Sequence, residues 1–325
     1  PHQVVSLSEF DLIRQYFSAA TAARDDVILG IGDDCALLQP PGGVCLAVSM
    51  DTLVEGRHFE PGADPVSLGH KALAVNLSDL AAMGAEPAWV TLALTMPTAD
   101  TDWLRGFVEG FSALAAQHGV QLVGGDTTRG PLSITIQVHG FVEPDSALTR
   151  SGGRPGDRLF VSGRIGDAAL ALARARNSAS PASAAGDLQQ RLDRPLPRVA
   201  LGRLLRGRAG AAIDLSDGLL ADLGHVCSAS GLGARVELGR VPVSPAVAAE
   251  CAAGRWQYAL AGGDDYELLF SVPEAAVVDV LRLCSGAAQP VQEIGCLVDE
   301  PGIVLVYPDG HASKEIPLGF DHFRD

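Results

Sequence analysis

Two short motifs occur twice along the chain, at one and the same offset. Asn76-Leu77-Ser78-Asp79 returns as Asp214-Leu215-Ser216-Asp217, and Gly124-Gly125-Asp126 returns as Gly262-Gly263-Asp264. A matched interval predicts two related α/β units, each presenting an LSD turn and a GGD turn to one shared cleft. The length of 325 residues accommodates two domains at about 100–200 residues each. The turn-rich stretch Thr149–Asp157 (TRSGGRPGD) marks the junction. It gives an N-terminal unit over 1–148, and a C-terminal unit over 149–325 that completes the cleft.

Short runs rich in Val, Ile and Leu alternate with Ala-rich amphipathic stretches, the pattern of a mixed α/β architecture. Strands are expected at Val44–Met50, Trp89–Thr95, Ser133–Phe141, Arg158–Ser162 and Glu267–Val272. Helices are expected at Ser8–Tyr16, Val66–Asp79, Thr101–His118, Gly166–Arg176, Val199–Arg206 and Gly218–Ser230. The small polar stretch Asn177–Asp187 reads as a surface loop. With 47% hydrophobic and 19% charged residues the chain can bury a large core, which excludes a disordered protein. No apolar run is long enough for a transmembrane helix, and Pro1–Phe10 lacks the regions of a signal peptide, so a cytoplasmic location is expected.

The formal charge of −15 argues against a nucleic-acid backbone or an anionic membrane as partner. An anionic substrate would need metal ions as intermediaries. Lys71 and Lys314 are the only lysines, so a mechanism that needs several is excluded. The cysteines Cys35, Cys45, Cys227, Cys251, Cys284 and Cys296 form no CxxC pair and read as reduced thiols.

The residues that carry chemistry are aspartates among glycines and small residues. Gly30-Ile31-Gly32-Asp33-Asp34 follows an apolar run, Asp51 is expected to end the strand Val44–Met50, and Asp79, Asp126, Asp214, Asp217, Asp264 and Asp265 are expected where elements give way to turns. Carboxylates so placed are a usual way to hold Mg²⁺ beside phosphate oxygens. Each also has a plain reading, since Asp and Gly are ordinary turn residues and Ser78 and Ser216 could be helix N-caps. The neighbouring pair Asp33-Asp34 needs a cation or hydrogen bonds to offset its repulsion.

No GxxxxGK[ST] loop, GxGxxG turn opening a helix, kinase signature or GxSxG elbow is present. Phosphate binding would then rest on metal ions, backbone N–H groups and arginines such as Arg129 and Arg150, either of which could equally be a surface residue. His58 is a structural histidine or a contact to a substrate phosphate or ring. The aromatic-rich Gly319–Phe323 is an anchored tail or a stacking surface.

The motifs GIGDD (Gly30–Asp34), SMDTLVEGRHF (Ser49–Phe59), KALAVNLSDLAAMGAEP (Lys71–Pro87), GGDTTRG (Gly124–Gly130), LTRSG (Leu148–Gly152), DLSDGL (Asp214–Leu219), GGDDYEL (Gly262–Leu268) and GFDHF (Gly319–Phe323) together resemble the thiamine-monophosphate kinase family, within the aminoimidazole-ribonucleotide synthetase-like superfamily. The resemblance runs in order along almost the whole chain. It implies two α/β (α+β) domains and a homodimer whose N-terminal mixed sheets join into a barrel. It also implies direct in-line transfer of the ATP γ-phosphoryl to thiamine monophosphate, assisted by several Mg²⁺ ions and without a covalent nucleophile on the protein. By motif, Asp34, Ser49, Asp51, Asp79, Asp126, Asp214 and Asp217 would hold the metal. Gly125, Asp126, Arg150 and Ser216 would contact ATP, and His58, Asp264 and Phe320 the thiamine substrate.

Three positions depart from the family pattern. Met50 stands where a second Ser or Thr is usual, Asp264 replaces a Glu one methylene longer, and Phe320 replaces Tyr or Trp. Relatives that make selenophosphate or mature hydrogenases carry a functional cysteine near one terminus, which this chain lacks. The alternative of an acidic protein that binds Mg²⁺ or ATP without turnover is disfavoured by the arginines and the terminal aromatic, neither of which a metal buffer needs.

Overall fold

The structure is a computed structural model that describes residues 9–177 and 186–314. It divides into two compact units: the described residues up to Leu80 with Glu86–Pro144, and Ala81–Ala85 with the described residues from Asp145 onward.

In the first unit a helical segment, α1 (Glu9–Leu12) continued by a π turn over Ile13–Phe17, precedes a small hairpin of β1 (Val27–Leu29) and β2 (Leu37–Leu38). Then come β3 (Cys45–Val54), α2 (Pro65–Ala82), β4 (Glu86–Met96), α3 (Thr101–His118), β5 (Gln121–Arg129) and β6 (Ser133–Val142). The last four strands form a sheet in the order β3-β6-β4-β5, antiparallel except for the parallel β4/β5 pair. Alternate residues face opposite sides of a strand. On β6 the buried face is Ile134, Ile136 and Val138.

Helix α3 starts where the Asp100 carboxylate accepts the N–H groups of Asp102 and Trp103 at 3.0 and 3.1 Å, and it stops at Gly119 with φ 63°. Helices α2 and α3 touch backbone to backbone. A Cβ on Gly110 would land on the Val66 carbonyl oxygen, and one on Gly69 on that of Phe107.

The second unit holds β7 (Arg158–Ser162), α4 (Asp167–Asn177), α5 (Asp187–Asp193), α6 (Val199–Leu205), β8 (Ala212–Asp214), α7 (Leu219–Ser230), β9 (Gly233–Glu237), α8 (Pro245–Ala252), α9 (Gln257–Leu260), β10 (Leu268–Val272), α10 (Val277–Gly286), β11 (Val291–Val298), β12 (Gly302–Val306) and β13 (Ala312–Ser313). Its seven strands lie in the order β13-β12-β9-β11-β7-β10-β8, with β9/β12 the parallel pair. The central strands β7 and β10 are buried, and their Phe160 and Phe270 rings stack at 5.6 Å. Leu219, Leu220, Leu223 and Val226 on one stripe of α7 pack into the same core.

The expected strands and helices are present, with ends shifted by a few residues at most places. Three expectations change. Asp51 lies inside β3, which continues to Val54, because Thr52, Leu53 and Val54 extend the alternation. Gly124–Asp126 lies inside β5, where Val123, Thr127 and Thr128 supply strand propensity on both sides of the glycines. Asn76–Asp79 lies inside α2, within a run of Ala and Leu at helical spacing. The duplicated motifs therefore sit in different local structures, since Asp214–Asp217 is a strand end and turn and Gly262–Asp264 a loop. Of the expected loop Asn177–Asp187, residues 178–185 lie outside the described residues, while Asn177 ends α4 and Asp187 opens α5. Among the described residues no helix is long and apolar enough to cross a membrane.

Candidate active site

On the first unit, β3 and α2 bring four of the motif residues together. Ser49 and Asp51, two apart on the strand, share its helix-facing side. Asn76 and Asp79, three apart on α2, share one face of the helix. The Ser49 hydroxyl donates to Asp79 Oδ2 at 2.5 Å, and the Asp51 N–H donates to Asn76 Oδ1 at 3.0 Å. Asn76 is buried and its amide donates to the Ala72 carbonyl at 3.0 Å, which fixes its orientation. Ser78 is buried in mid-helix and caps nothing. Met50 is exposed on the opposite side of β3 from Ser49 and Asp51, so its side chain is absent from this group.

Asp34 lies in the loop between β1 and β2. Its N–H donates to the Asp33 carboxylate at 2.8 Å, and both residues are exposed. The hairpin is anchored from its start. Arg24 pairs with Asp26 at 2.7 Å and donates to the Gly119 carbonyl at 2.7 Å, while Trp89 Nε1 donates to Asp26 Oδ1 at 2.8 Å. The Arg24 hydrogen bond first, and Trp89 after it, hold the Asp26 carboxyl below its usual 3.8.

Gly125 and Asp126 stand apart from these. Gly125 has φ 152°, and a Cβ there would land on the Leu92 carbonyl oxygen, so the close β4/β5 approach itself requires glycine. Asp126 pairs with Ala93 in the register, and Asp51 sits level with Gly125 through Ile136 and Leu92. Asp126 is thus one step out of phase with Asp51, on the side of the sheet away from α2 and α3. Beyond β3, the backbone turns so that Val54 N–H donates to His58 Nδ1 at 3.0 Å, which leaves the imidazole proton of the neutral ring on Nε2. Arg129 is exposed at the end of β5.

On the second unit, β8 delivers Asp214, buried and paired with Leu268 on β10, into the turn that opens α7. Ser216 is not the cap of α7, because Gly218 occupies that position. Asp222, one turn into the helix, accepts the N–H groups of Asp217 and Gly218 at 3.2 and 3.1 Å. Burial, then the Asp217 charge, push its carboxyl up to about 7. The Arg150 guanidinium opposes that shift, which places its charge near the turn. Arg150 itself is positioned by its carbonyl, which accepts from Ser230 at 3.1 Å, and by Thr149, whose carbonyl accepts from Ala212 N–H at 2.9 Å.

The Gly262–Glu267 loop is stitched to this turn. Asp264 N–H donates to the Ser216 carbonyl at 2.9 Å and Tyr266 N–H to that of Leu215 at 2.8 Å. Both Asp265 oxygens accept the Gly166 N–H, at 3.0 and 2.9 Å. Burial first, with Glu267 and Asp167 nearby, holds the Asp265 carboxyl well above its usual value. Buried Glu267 accepts from Ser162 Oγ and from Arg198 Nε at 2.5 and 2.6 Å. Sequence reasoning missed Asn76 as an anchor, Asp222, Tyr266 and Glu267. Each had a signal: Asn76 opens the repeated Asn76–Asp79 motif, Tyr266 and Glu267 lie inside the GGDDYEL run, and Asp222 is an acid one turn after a glycine that opens a helix. Phe320 lies outside the described residues.

All the motif carboxylates and Ser49 offer hard oxygen donors. Among the described residues no three His, Cys, Asp or Glu side chains form a closed cage for a metal.

The AIR synthase related protein N-terminal domain matches residues 32–142, and the corresponding C-terminal domain matches 154–308. Thiamine-monophosphate kinase of Escherichia coli K12 is 53% identical over 98% of this chain and 99% of its own length. The crystal structure of thiamine-monophosphate kinase from Stenotrophomonas maltophilia is 45% identical, covers 94% of this chain and 98% of its own, and has a TM-score of 0.85. AaThiL complexed with AMPPCP and TMP is 29% identical, covers 90% of this chain and 92% of its own, and has a TM-score of 0.75. The two matched domains and the full-length identity make this chain a member of the thiamine-monophosphate kinase family of AIR synthase related proteins.

Proposed function

We propose that the protein transfers the γ-phosphoryl group of ATP to thiamine monophosphate, giving thiamine diphosphate and ADP, by direct in-line displacement. The observation that carries this reading is the hydrogen bond from Asp264 N–H to the Ser216 carbonyl, which joins a residue proposed for the acceptor to one proposed for ATP. The relatives' names and the nucleotide complex of AaThiL support it.

The acceptor is a phosphate monoester with a second pKa of about 6, so it reaches neutral pH largely as a dianion and needs no strong base. The difficulty is charge repulsion between donor and acceptor. Mg²⁺ characteristically takes one or two carboxylates and fills its remaining positions with water and substrate phosphates. Pairs of hard oxygen donors without a closed cage fit that habit. Asp34, Ser49, Asp51, Asp79, Asp126, Asp214 and Asp217 would hold several Mg²⁺ ions, which supply charge neutralisation and alignment when bound. Gly125, Asp126, Arg150 and Ser216 would bind ATP, and His58, Asp264 and Phe320 the thiamine substrate.

A homodimer accompanies this reading. β3 is an edge strand, and Leu46, Val48, Met50 and Val54 alternate along its outward face at 48%, 50%, 61% and 37% exposure. An apolar row on an unpaired edge is a surface that proteins cover.

The test is incubation with ATP, Mg²⁺ and thiamine monophosphate, with thiamine in a parallel sample. Thiamine diphosphate with equimolar ADP from the monophosphate alone is the expected result. ATP bound with no product from either acceptor overturns it in favour of nucleotide binding without turnover.

A further inference from the structure

We infer that Tyr266 is a positioning residue for the thiamine acceptor, acting through its hydrogen bond to Asp264; this rests on the proposed contact of Asp264 with that substrate. Tyr266 Oη donates to Asp264 Oδ1 at 3.2 Å, and the ring is buried. Both residues hold left-handed backbone, Asp264 at φ 68° and Tyr266 at φ 50°. Aspartate tolerates that region, but a bulky aromatic rarely enters it. Strain of this kind persists where the surroundings over-determine it, and it concentrates at ligand clamps.

The surroundings here do over-determine it. Asp264, Tyr266 and Glu267 are tied by backbone hydrogen bonds to Ser216 and Leu215, and Asp265 to Gly166. This strapping delivers the phenol to the Asp264 side chain. With Oδ1 engaged, rotation of the carboxylate about Cβ–Cγ is restricted, and its negative charge is presented in one orientation. A cationic heterocycle such as thiazolium is the partner that a fixed carboxylate suits. A phosphate dianion would be repelled by it, so the same restraint discriminates between the two ends of the acceptor.

The experiment measures thiamine monophosphate binding by titration calorimetry, and kcat and both KM values, for the wild type, Tyr266→Phe and Asp264→Asn. Removing the hydroxyl alone should weaken thiamine monophosphate binding about tenfold, the scale of one hydrogen bond to a charged group. The ATP KM, kcat and melting temperature should stay near wild type. A parallel change in all the constants, or a fall in melting temperature that accounts for the loss, means a merely structural tyrosine and overturns the inference. So does unchanged binding in Tyr266→Phe when Asp264→Asn binds weakly. If neither variant changes binding, Asp264 itself leaves the acceptor site and the inference falls with it, while product formation by the wild type still decides the proposed reaction separately.

Discussion

Asn76 accepts the backbone N–H of Asp51, so this tie between β3 and α2 survives loss of the Asp51 charge. Asp51→Asn should therefore keep its fold and lose turnover. We expect kcat to fall by about 10²–10³-fold, in line with loss of a few kcal/mol of charge stabilisation, with melting within a degree or two of wild type. Asn76→Ala should do the reverse in part. It leaves a backbone N–H without its buried acceptor, at a cost of about 1–3 kcal/mol, visible as a lower melting temperature. Kinetics and thermal melts on both variants check the contrast. Equal losses of stability in the two would mean that the carboxylate, too, is structural.

At the scale of elements, the β1–β2 hairpin that carries Asp34 depends on the Arg24–Asp26–Trp89 tie to the sheet. Because the Asp26 carboxyl is held below its usual 3.8, its contribution is complete above that value and is lost as the pH falls through the lower, folded value. Asp26→Asn keeps an acceptor for Trp89 and loses the charge. Discounted for partial exposure, the change should cost about 1 kcal/mol, or about 2 °C in melting temperature. The gap between wild type and variant should hold from pH 8 to 5 and narrow progressively as the pH falls below about 4 toward the lower, folded value; a gap that does not narrow at all between about pH 5 and pH 2 would remove the charge from the account. The strands and helices were legible in the sequence because their periodicities are strong, as in Thr101–His118 with its Asp100 cap and Gly119 stop. The structural setting of the aspartates was less so. Glycines suggest turns, yet Gly125 serves a close strand pairing, a long-range contact that no local pattern announces. Likewise Asp264 and Asp214–Asp217 sit in turns as expected, while the loop that joins them is set by backbone hydrogen bonds between segments distant in sequence.

For the whole molecule, the first unit's sheet has one side covered by α2 and α3. Among the described residues the other is covered at one end, where Val27, Ala36 and Leu38 pack against Trp89 and Phe141. Along β3 the outward row runs on through Val48 and Met50, which are exposed among the described residues. Two copies related by a two-fold axis would bury the row twice, since an isologous interface uses the same patch on both partners. The edge strand would gain hydrogen-bonding partners in the same step. Met50 then has a reason to be apolar that is independent of Ser49 and Asp51, the proposed metal ligands on the other side of its strand. Charge placed in the row should be tolerated by the monomer, because these positions are solvated in it, and rejected by the dimer, where it would be desolvated in two copies. We expect Val48→Glu with Met50→Glu to halve the mass measured by analytical ultracentrifugation while leaving the circular dichroism spectrum unchanged. A wild-type protein that sediments as a monomer at micromolar concentration, or a double variant that remains dimeric, would show that the β3 face is not the interface.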